Sequence, residues 1–185
     1  MKQQRGFTII ELVIVIALCL VLMSGLLALL DWHNKVFVLE QATVRATSSV
    51  RNVMNAMTRY VTQGATIEAS RTMSGTLYTT DGDTVVVKIP SIDASGNVIA
   101  GTFDYFVYYL SSGSVYQLIE AGAGSVRNAG SKVLGESIDL FTLTYNNADP
   151  AIAGSVAVDV QARVTTRGTS SATTRATDTI FLRNR

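Results

Sequence analysis

Residues 5–11 read Arg5-Gly6-Phe7-Thr8-Ile9-Ile10-Glu11, and after this acid the chain carries no charged residue until Asp31. An ionised carboxylate inside a bilayer costs about 2.5–3.5 kcal/mol even on lenient scales, so such a group normally has a partner and a function. The edge of this apolar run thus carries four features together: a basic residue, a glycine, an aromatic residue and one acid. This arrangement indicates more than an ordinary membrane anchor.

The apolar run itself is long enough to cross a membrane. Residues 12–30 carry no charge, and a helix over them, at about 1.5 Å per residue, spans roughly 30 Å, the thickness of one hydrocarbon core. Lys2 and Arg5 precede the run, so the positive-inside rule leaves the short N-terminus in the cytoplasm and the rest of the chain outside. A secretory signal would instead need a shorter run with a small-residue cleavage site after it.

The segment Gly6-Phe7-Thr8-Ile9-Ile10-Glu11-Leu12 resembles the processing site of type IV prepilins and of the pseudopilins of type II secretion. In that family a membrane peptidase cuts after the glycine and methylates the new N-terminal amine. The resemblance implies cleavage between Gly6 and Phe7, methylation of Phe7, and a role in assembly for Glu11. It also implies these partners: prepilin peptidase, other pilin or pseudopilin subunits, an inner-membrane assembly platform and membrane lipid. The alternative is a signal-anchor helix with a chance motif.

One long helix is predicted from Phe7 to Gln63. No proline interrupts the part after Asp31, and Gly64, the first glycine after Gly25, is a suitable stop. Positions 36, 39, 43, 46, 50, 53, 57 and 60 repeat at alternating three and four residues with mostly apolar occupants, which predicts one stripe facing a core. The predicted organisation is a leader at 1–6, a membrane half of the helix at 7–30, an amphipathic half at 31–63 and a β-rich head at 64–185.

The head is predicted to consist of antiparallel strands. Asp81-Gly82-Asp83 predicts a hairpin between two of them, and Pro90 is expected to end the second. Residues 156–164 alternate strictly, which indicates one buried face, and residues 102–110 are apolar on both faces, which indicates a central strand. Loops are expected at 121–130, 146–155 and 167–174. The predicted strands are 75–80, 84–89, 102–110, 115–120, 137–145, 156–164 and 178–182.

These elements predict an α+β fold in which the outer half of the helix packs on an antiparallel sheet. The pilin-like fold implied by the motif has the same arrangement. In size, strand order and its terminal Leu182-Arg183-Asn184, the chain looks most like a J-type minor pseudopilin or a W-type minor pilin.

Charge and cysteine content exclude several classes of protein. The chain has 15 basic and 14 acidic residues, and loss of residues 1–6 would remove Lys2 and Arg5. A nearly neutral body gives no reason to expect nucleic acid as a partner. The one cysteine, Cys19, lies in the apolar run, so the exported part cannot form a disulfide within itself. Lipidation of Cys19 is one interpretation, and a small apolar side chain is the simpler one.

The sequence does not predict an enzyme. The one histidine, His33, lies beside Trp32 just after the apolar run and lacks companions for catalysis or metal binding. No serine lies in a Gly-x-Ser-x-Gly turn, and no phosphate-binding loop or dinucleotide fingerprint is present. A single-pass envelope enzyme or sensor with a coincidental motif remains an alternative class.

No cofactor is expected. Calcium is the one candidate ion, because some pseudopilins bind it. Asp93, Ser95 and Asn97 offer oxygens at alternate positions, and Asp104 occupies the twelfth position of such a loop. Val98 replaces the required glycine, and aspartate is short where a bidentate glutamate is usual. Asp81 and Asp83 are a second candidate pair. Ordinary hairpin turns explain both sets more simply, so no metal site is predicted.

Two further patterns have a functional and a structural interpretation. The aromatic residues between Phe103 and Tyr116 could form a platform for sugars or bases, but at strand spacing they more often belong to a core. Four basic residues could form a strip that binds DNA, but they are also what a solvent-exposed helix face carries. These residues are Arg45, Arg51, Arg59 and Arg71.

The charge of Glu11 suggests how assembly would be controlled. Phe7 and Glu11 are four residues apart and lie on one helix face. When apolar helices bundle and exclude water, Glu11 needs a nearby cation, and the amine of Phe7 on an adjacent subunit can supply it. Because that amine exists only after cleavage, processing would permit assembly. Melting of the helix is not expected, since no proline precedes Pro90.

The sequence thus predicts a structural subunit, a minor one, of a type IV pilus or a type II secretion pseudopilus. It would be a single-pass protein of the inner membrane with its head outside the cytoplasm, and part of a periplasmic or cell-surface filament after assembly. The alternative is a minor pilin whose head binds DNA, a surface or a partner cell. The sequence leaves open which of the two machines is involved and the position in the filament.

Overall fold

The computed structural model describes residues 8–166 and 170–184 of the chain. An α-helix, α1, runs from Ile9 to Val61 without interruption, which confirms the predicted continuous helix. The chain divides into two compact units, Met1–Gln41 and Ala42–Arg185. The predicted leader at 1–6 lies outside the described residues.

The first unit contains the apolar part of α1 and the helix residues that follow it up to Gln41. Its side chains from Ile9 to Leu30 are exposed, and the helix is long and apolar enough to cross a membrane. Charge returns at Asp31, whose carboxylate lies 2.6 Å from Lys35 Nζ, one helical turn further on. Exposed leucine, isoleucine and valine on every face suit lipid or a bundle of similar helices.

The second part of α1, from Ala42 onward, belongs to the second unit and buries one stripe in that unit's core. Ala46, Val50, Val53 and Met57 are buried as predicted, but Ala42 and Val61 are buried where the pattern placed Thr43 and Tyr60. The predicted repeat averaged 3.5 residues per turn, whereas a straight α-helix has 3.6, so the buried face drifts by about 20° per heptad. The error is therefore one of phase at the two ends of the stripe.

Ten strands follow the helix and form three antiparallel sheets. The sheet orders are β1-β4-β5-β6-β7, β10-β9-β8 and β2-β3. This arrangement of one helix against antiparallel sheets is the α+β, pilin-like fold that was predicted. The strands are β1 (Thr66–Glu68), β2 (Ser70–Met73), β3 (Thr76–Thr79), β4 (Thr84–Ile92), β5 (Val98–Ser111), β6 (Ser114–Glu120), β7 (Gly130–Glu136), β8 (Ile138–Tyr145), β9 (Ser155–Thr165) and β10 (Ser171–Phe181).

Strand β5 lies at the centre of the five-stranded sheet, and both of its faces are covered. On the inner face, Phe106 and Tyr108 join the core that α1 enters. On the outer face, Val107 packs with Val86 of β4 and Met73 of the β2–β3 hairpin. This double coverage confirms the prediction of a central strand from its apolar residues on both faces.

The predicted hairpin across Asp81-Gly82-Asp83 is wrong. Strand β3 pairs with β2 around a turn at Ser74 and Gly75, which both have positive φ, while β4 pairs with β1 and β5. Both edges of β4 are therefore occupied, and residues 81–83 connect two sheets instead of two paired strands. The Asp81 carboxylate stabilises this bend by accepting the backbone N–H of Asp83 and Thr84.

Pro90 does not end its strand, contrary to expectation. Strand β4 continues to Ile92, with a shift of register after Pro90. The Pro90 carbonyl accepts a hydrogen bond from Arg127, and β1 pairs no further along β4 than Lys88. Proline is tolerated here because no neighbouring strand requires its missing N–H.

The remaining differences concern short or polar strands. The sequence did not predict β1, β2 or β7, which carry few apolar residues in alternation. Strand β10 begins at Ser171, so the end of the predicted loop at 167–174 is strand, while residues 167–169 lie outside the described part. Strand β9 was predicted correctly: Val156, Val158, Val160 and Ala162 are all buried.

A buried ion pair connects three parts of the head. The Asp104 carboxylate on β5 accepts hydrogen bonds from Ser91 Oγ (2.7 Å), the Gly122 N–H (2.7 Å) and Ser125 Oγ (2.9 Å), and Arg127 Nη1 lies 2.5 Å from it. Arg127 also reaches Gln63 at the end of α1. Burial raises the pKa of Asp104, but the donors led by Arg127 outweigh it and leave the pKa below its usual value.

Close packing of α1 on β7 is tested by Gly135→Ala. An added Cβ would lie 2.9 Å from the Ser49 carbonyl oxygen and 3.0 Å from Val53 Cγ2, so we expect a loss of about 1–3 kcal/mol in the free energy of unfolding. Gly82→Ala is the matched control, since nothing lies within 4 Å of its added Cβ. Equal stability of the two variants in denaturant titrations of the detergent-solubilised chain would contradict this packing.

The Asp104–Arg127 pair predicts a specific pH dependence. Asp104→Asn leaves a buried guanidinium without its carboxylate, which costs about 3–5 kcal/mol near neutral pH. Because the folded pKa lies below the unfolded value of about 4, the contribution is complete above that value and is lost as pH falls through the folded pKa. Stability curves of the two proteins should therefore converge in acid. Asp159→Asn, which breaks an exposed pair with Arg175, should change little; curves that stay parallel argue against the Asp104 network.

Candidate functional site

The start of α1 forms a capping box around Glu11. Thr8 precedes the first helical residue, Ile9, and Glu11 is the third. Glu11 Oε2 accepts from the Thr8 N–H (3.0 Å) and from Thr8 Oγ1 (3.1 Å), while the Glu11 N–H donates to Thr8 Oγ1 at 3.3 Å. This reciprocal pattern satisfies donors that a helix start otherwise leaves without partners.

The capping box changes the interpretation of the isolated acid. Glu11 has a partner within its own chain, and a carboxylate in the first turn is also favoured by the helix dipole. Both side-chain bonds end on Oε2, and among the described residues no hydrogen bond involves Oε1. One oxygen therefore holds the helix start while the other is available to a donor from outside. The spacing Thr8-x-x-Glu11 could have revealed this arrangement from the sequence.

The other residues of the predicted processing site cannot be placed. Gly6 and Phe7 lie outside the described residues, so cleavage between them and methylation of Phe7 stay predictions. The helix start that follows them is exposed, from Thr8 onward. Cys19 is a free, exposed cysteine, and His33 is exposed as well.

The calcium candidates fall into separate hydrogen-bond networks. Asp93 Oδ1 accepts the N–H groups of Ser95 and Asn97, both at 2.9 Å, and the bond from Asn97 leads the effects that lower the pKa of Asp93. Asp104 is instead bound by the groups around Arg127. Among residues 8–166 and 170–184, no three His, Cys, Asp or Glu side chains are grouped as metal ligands.

The aromatic residues divide between the two faces of the five-stranded sheet. Phe106 and Tyr108 are buried in the core, as the structural interpretation expected. On the outer face, Tyr109 stacks on Tyr116 with ring centroids 5.3 Å apart and contacts Tyr78 at 5.1 Å. Tyr109 and Tyr116 stack, while Tyr78 lies tilted against Tyr109, so these contacts support paired strands of the sheet.

The four candidate arginines do not form one strip. Arg71 lies on β2, where it pairs with Glu120 at 2.8 Å and stacks over the Tyr105 ring at 3.4 Å from its centroid. Arg45, Arg51 and Arg59 are exposed on α1. Arg51 and Arg59 both line cavities beside the helix, whereas Arg45 lines a different cavity together with Glu136.

Comparison with known proteins identifies the N-terminal segment. Residues 1–27 match a family model described as the prokaryotic N-terminal methylation motif. No curated protein and no solved structure matches the chain. The matched segment contains Gly6, Phe7 and Glu11 and ends within the apolar part of α1. The match supports a type IV pilin-like or pseudopilin subunit, and such a subunit is structural and not an enzyme.

Proposed function

We propose that the chain is a minor structural subunit of a type IV pilus or of a type II secretion pseudopilus. The observation that carries the proposal is the methylation motif at residues 1–27, joined without a break to an apolar helix long enough to cross a membrane. The α+β head agrees with it, since one stripe of α1 is buried against antiparallel sheets. Prepilin peptidase would cut between Gly6 and Phe7 and methylate the Phe7 amine.

The geometry of Glu11 supports a two-step mechanism. In the precursor, Thr8 satisfies Glu11 Oε2 and anchors the helix start. Cleavage exposes the Phe7 amine, which is cationic even when methylated. In a filament, that amine on one subunit would approach the free Oε1 of another, and the pair would fix the axial register between neighbouring helices. Such a pair would fix the register because any other alignment leaves a charge buried without a partner, although the net stabilising energy of the pair itself is small.

This function determines where the protein would be found. Before assembly it would be held in the inner membrane by the apolar part of α1, with the head outside the cytoplasm. The assembly platform would then extract it into a filament in which apolar helices contact one another instead of lipid. The partners are other pilin or pseudopilin subunits, the peptidase, the platform and lipid.

Processing is tested by mass spectrometry of the intact protein extracted from membranes. We expect a chain that begins at Phe7 and carries one added methyl group. Gly6→Ala should be retained as the uncut precursor. Gly25→Ala, a second glycine of the apolar segment with open space around its Cβ position, should be processed normally. A mature chain that still begins at Met1 in cells with active peptidase would exclude the proposed maturation.

The charge of Glu11 can be separated from its capping role. Glutamine also fits a capping box, so Glu11→Gln keeps the helix start but removes the negative charge. Thr8→Val removes the cap and keeps the charge, and Thr8→Ser preserves both. We expect Glu11→Gln to be processed but to enter sheared filaments poorly, at about a tenth of the parent level or less, since a buried unpaired amine costs several kcal/mol.

Thr8→Val should be incorporated better than Glu11→Gln, because it costs only about 1 kcal/mol of helix stability. If Glu11→Gln assembles as well as the parent while Thr8→Val does not, the acid acts as a cap and not as an ion-pair partner.

A further inference from the structure

A cavity of about 310 Å³ lies beside α1 on the inner face of the five-stranded sheet. The helix contributes Asn52, Asn55 and Arg59 to its wall. Gln117 of β6 and Lys132 of β7, which are direct cross-strand partners, form the opposite side.

The charged groups of this cavity are all positive. Arg59 and Lys132 line it, and none of its lining residues is acidic. Within the described part of the chain, neither cation is in an ion pair, whereas Arg71, Lys88, Arg127 and Arg175 each have a carboxylate partner. Arg59 and Lys132 thus differ from those four cations, because no carboxylate of the described residues pairs with them and both remain accessible to an external anion.

The floor of the cavity is held in place by buried polar groups. Gln117 is 4% exposed, and its Nε2 donates to the Tyr108 hydroxyl at 2.9 Å. The Tyr108 hydroxyl in turn donates to the Ala56 carbonyl of α1 at 3.3 Å. These bonds connect helix and sheet beneath the cavity, so its floor is fixed before any ligand arrives.

The basic surface continues along the helix. A second cavity of about 480 Å³ shares Asn52 and Asn55 with the first and adds Arg51. Arg51 and Arg59 are eight residues apart, an axial distance of about 12 Å, which corresponds to about three or four residues of extended peptide. Glu136 lies outside both cavities and lines an adjoining one of about 240 Å³ with Ser49. We call the two cavities together the basic groove.

We propose that the basic groove binds a carboxylate-bearing polypeptide segment of a neighbouring subunit. Guanidinium and ammonium groups bind carboxylates, and the amides of Asn52, Asn55 and Gln117 can pair with a peptide backbone. Nucleic acid is the less suitable ligand, because the whole chain has a net charge of only +1. Binding along a phosphate backbone also requires a broad basic surface, whereas the groove contains only three cations. The identity of the neighbour rests on the proposed function, but the chemistry of the groove does not.

The test measures binding of a fluorescein-labelled peptide of alternating Asp and Gly to the full chain in detergent, by fluorescence anisotropy. The same peptide with Asn in place of Asp is the neutral probe, and a thymidine oligonucleotide of equal charge is the competing anion. We expect the acidic peptide to bind more tightly than either of the other probes. Its affinity should fall as salt is added.

Variants then locate the binding site. Arg59→Gln combined with Lys132→Gln should reduce affinity for the acidic peptide about fivefold, because the two exposed ion pairs together contribute about 1 kcal/mol. Arg163→Gln is the matched control: it removes an exposed cation of β9, outside the groove. Any of three results would overturn the proposal. The acidic and neutral peptides could bind with equal affinity, the oligonucleotide could bind more tightly, or the groove and control variants could lose equal affinity for the acidic peptide. Since this assay is independent of cleavage and filament formation, its failure leaves the proposed maturation intact.

Discussion

The head depends on one stripe of α1 that has to be buried between two sheets. Val50, Val53 and Met57 are almost fully buried, and they belong to one core together with residues of β4, β5, β8 and β9. Both sheets therefore share this core with the helix. Gly64 and Gly135 permit the close approach, because a side chain at either position would collide with its neighbours.

The two parts of α1 meet different physical requirements with one secondary structure. The apolar part satisfies every backbone group internally, which is what a bilayer or a bundle of helices demands. The outer part needs a core on one side only, and its opposite side carries the amides and arginines that line the basic groove. At the start of the helix, the side chains of Thr8 and Glu11 accept hydrogen bonds from backbone N–H groups that would otherwise have no partner in the helix. The carboxylate that would control assembly thus also stabilises the unassembled subunit.

Sequence patterns predicted the elements whose signal is local. The long helix follows from composition and the lack of proline, and β5 and β9 follow from their apolar residues. The pairing of β3 was wrong because a turn signal at Asp81-Gly82-Asp83 cannot show that β1 and β5 already occupy both edges of β4. Strand β7 was missed because it has few apolar residues and is recognisable mainly through its contact with α1. Likewise the sequence allowed Asp104 to be a calcium ligand in a loop, because it does not show that Asp104 pairs with Arg127.

The sequence by itself determined the processing motif, the membrane-length helix and the position of Glu11, because these depend on residues that are close together in the chain. The Thr8–Glu11 capping box belongs to the same group. Only the tertiary structure decided the sheet order, the burial of Asp104 and the gathering of Arg59, Gln117 and Lys132 into one groove. Those three residues come from α1, β6 and β7, and their proximity depends on how strands cross beneath a helix. No local pattern encodes such long-range contacts, since they result from the packing of the complete core.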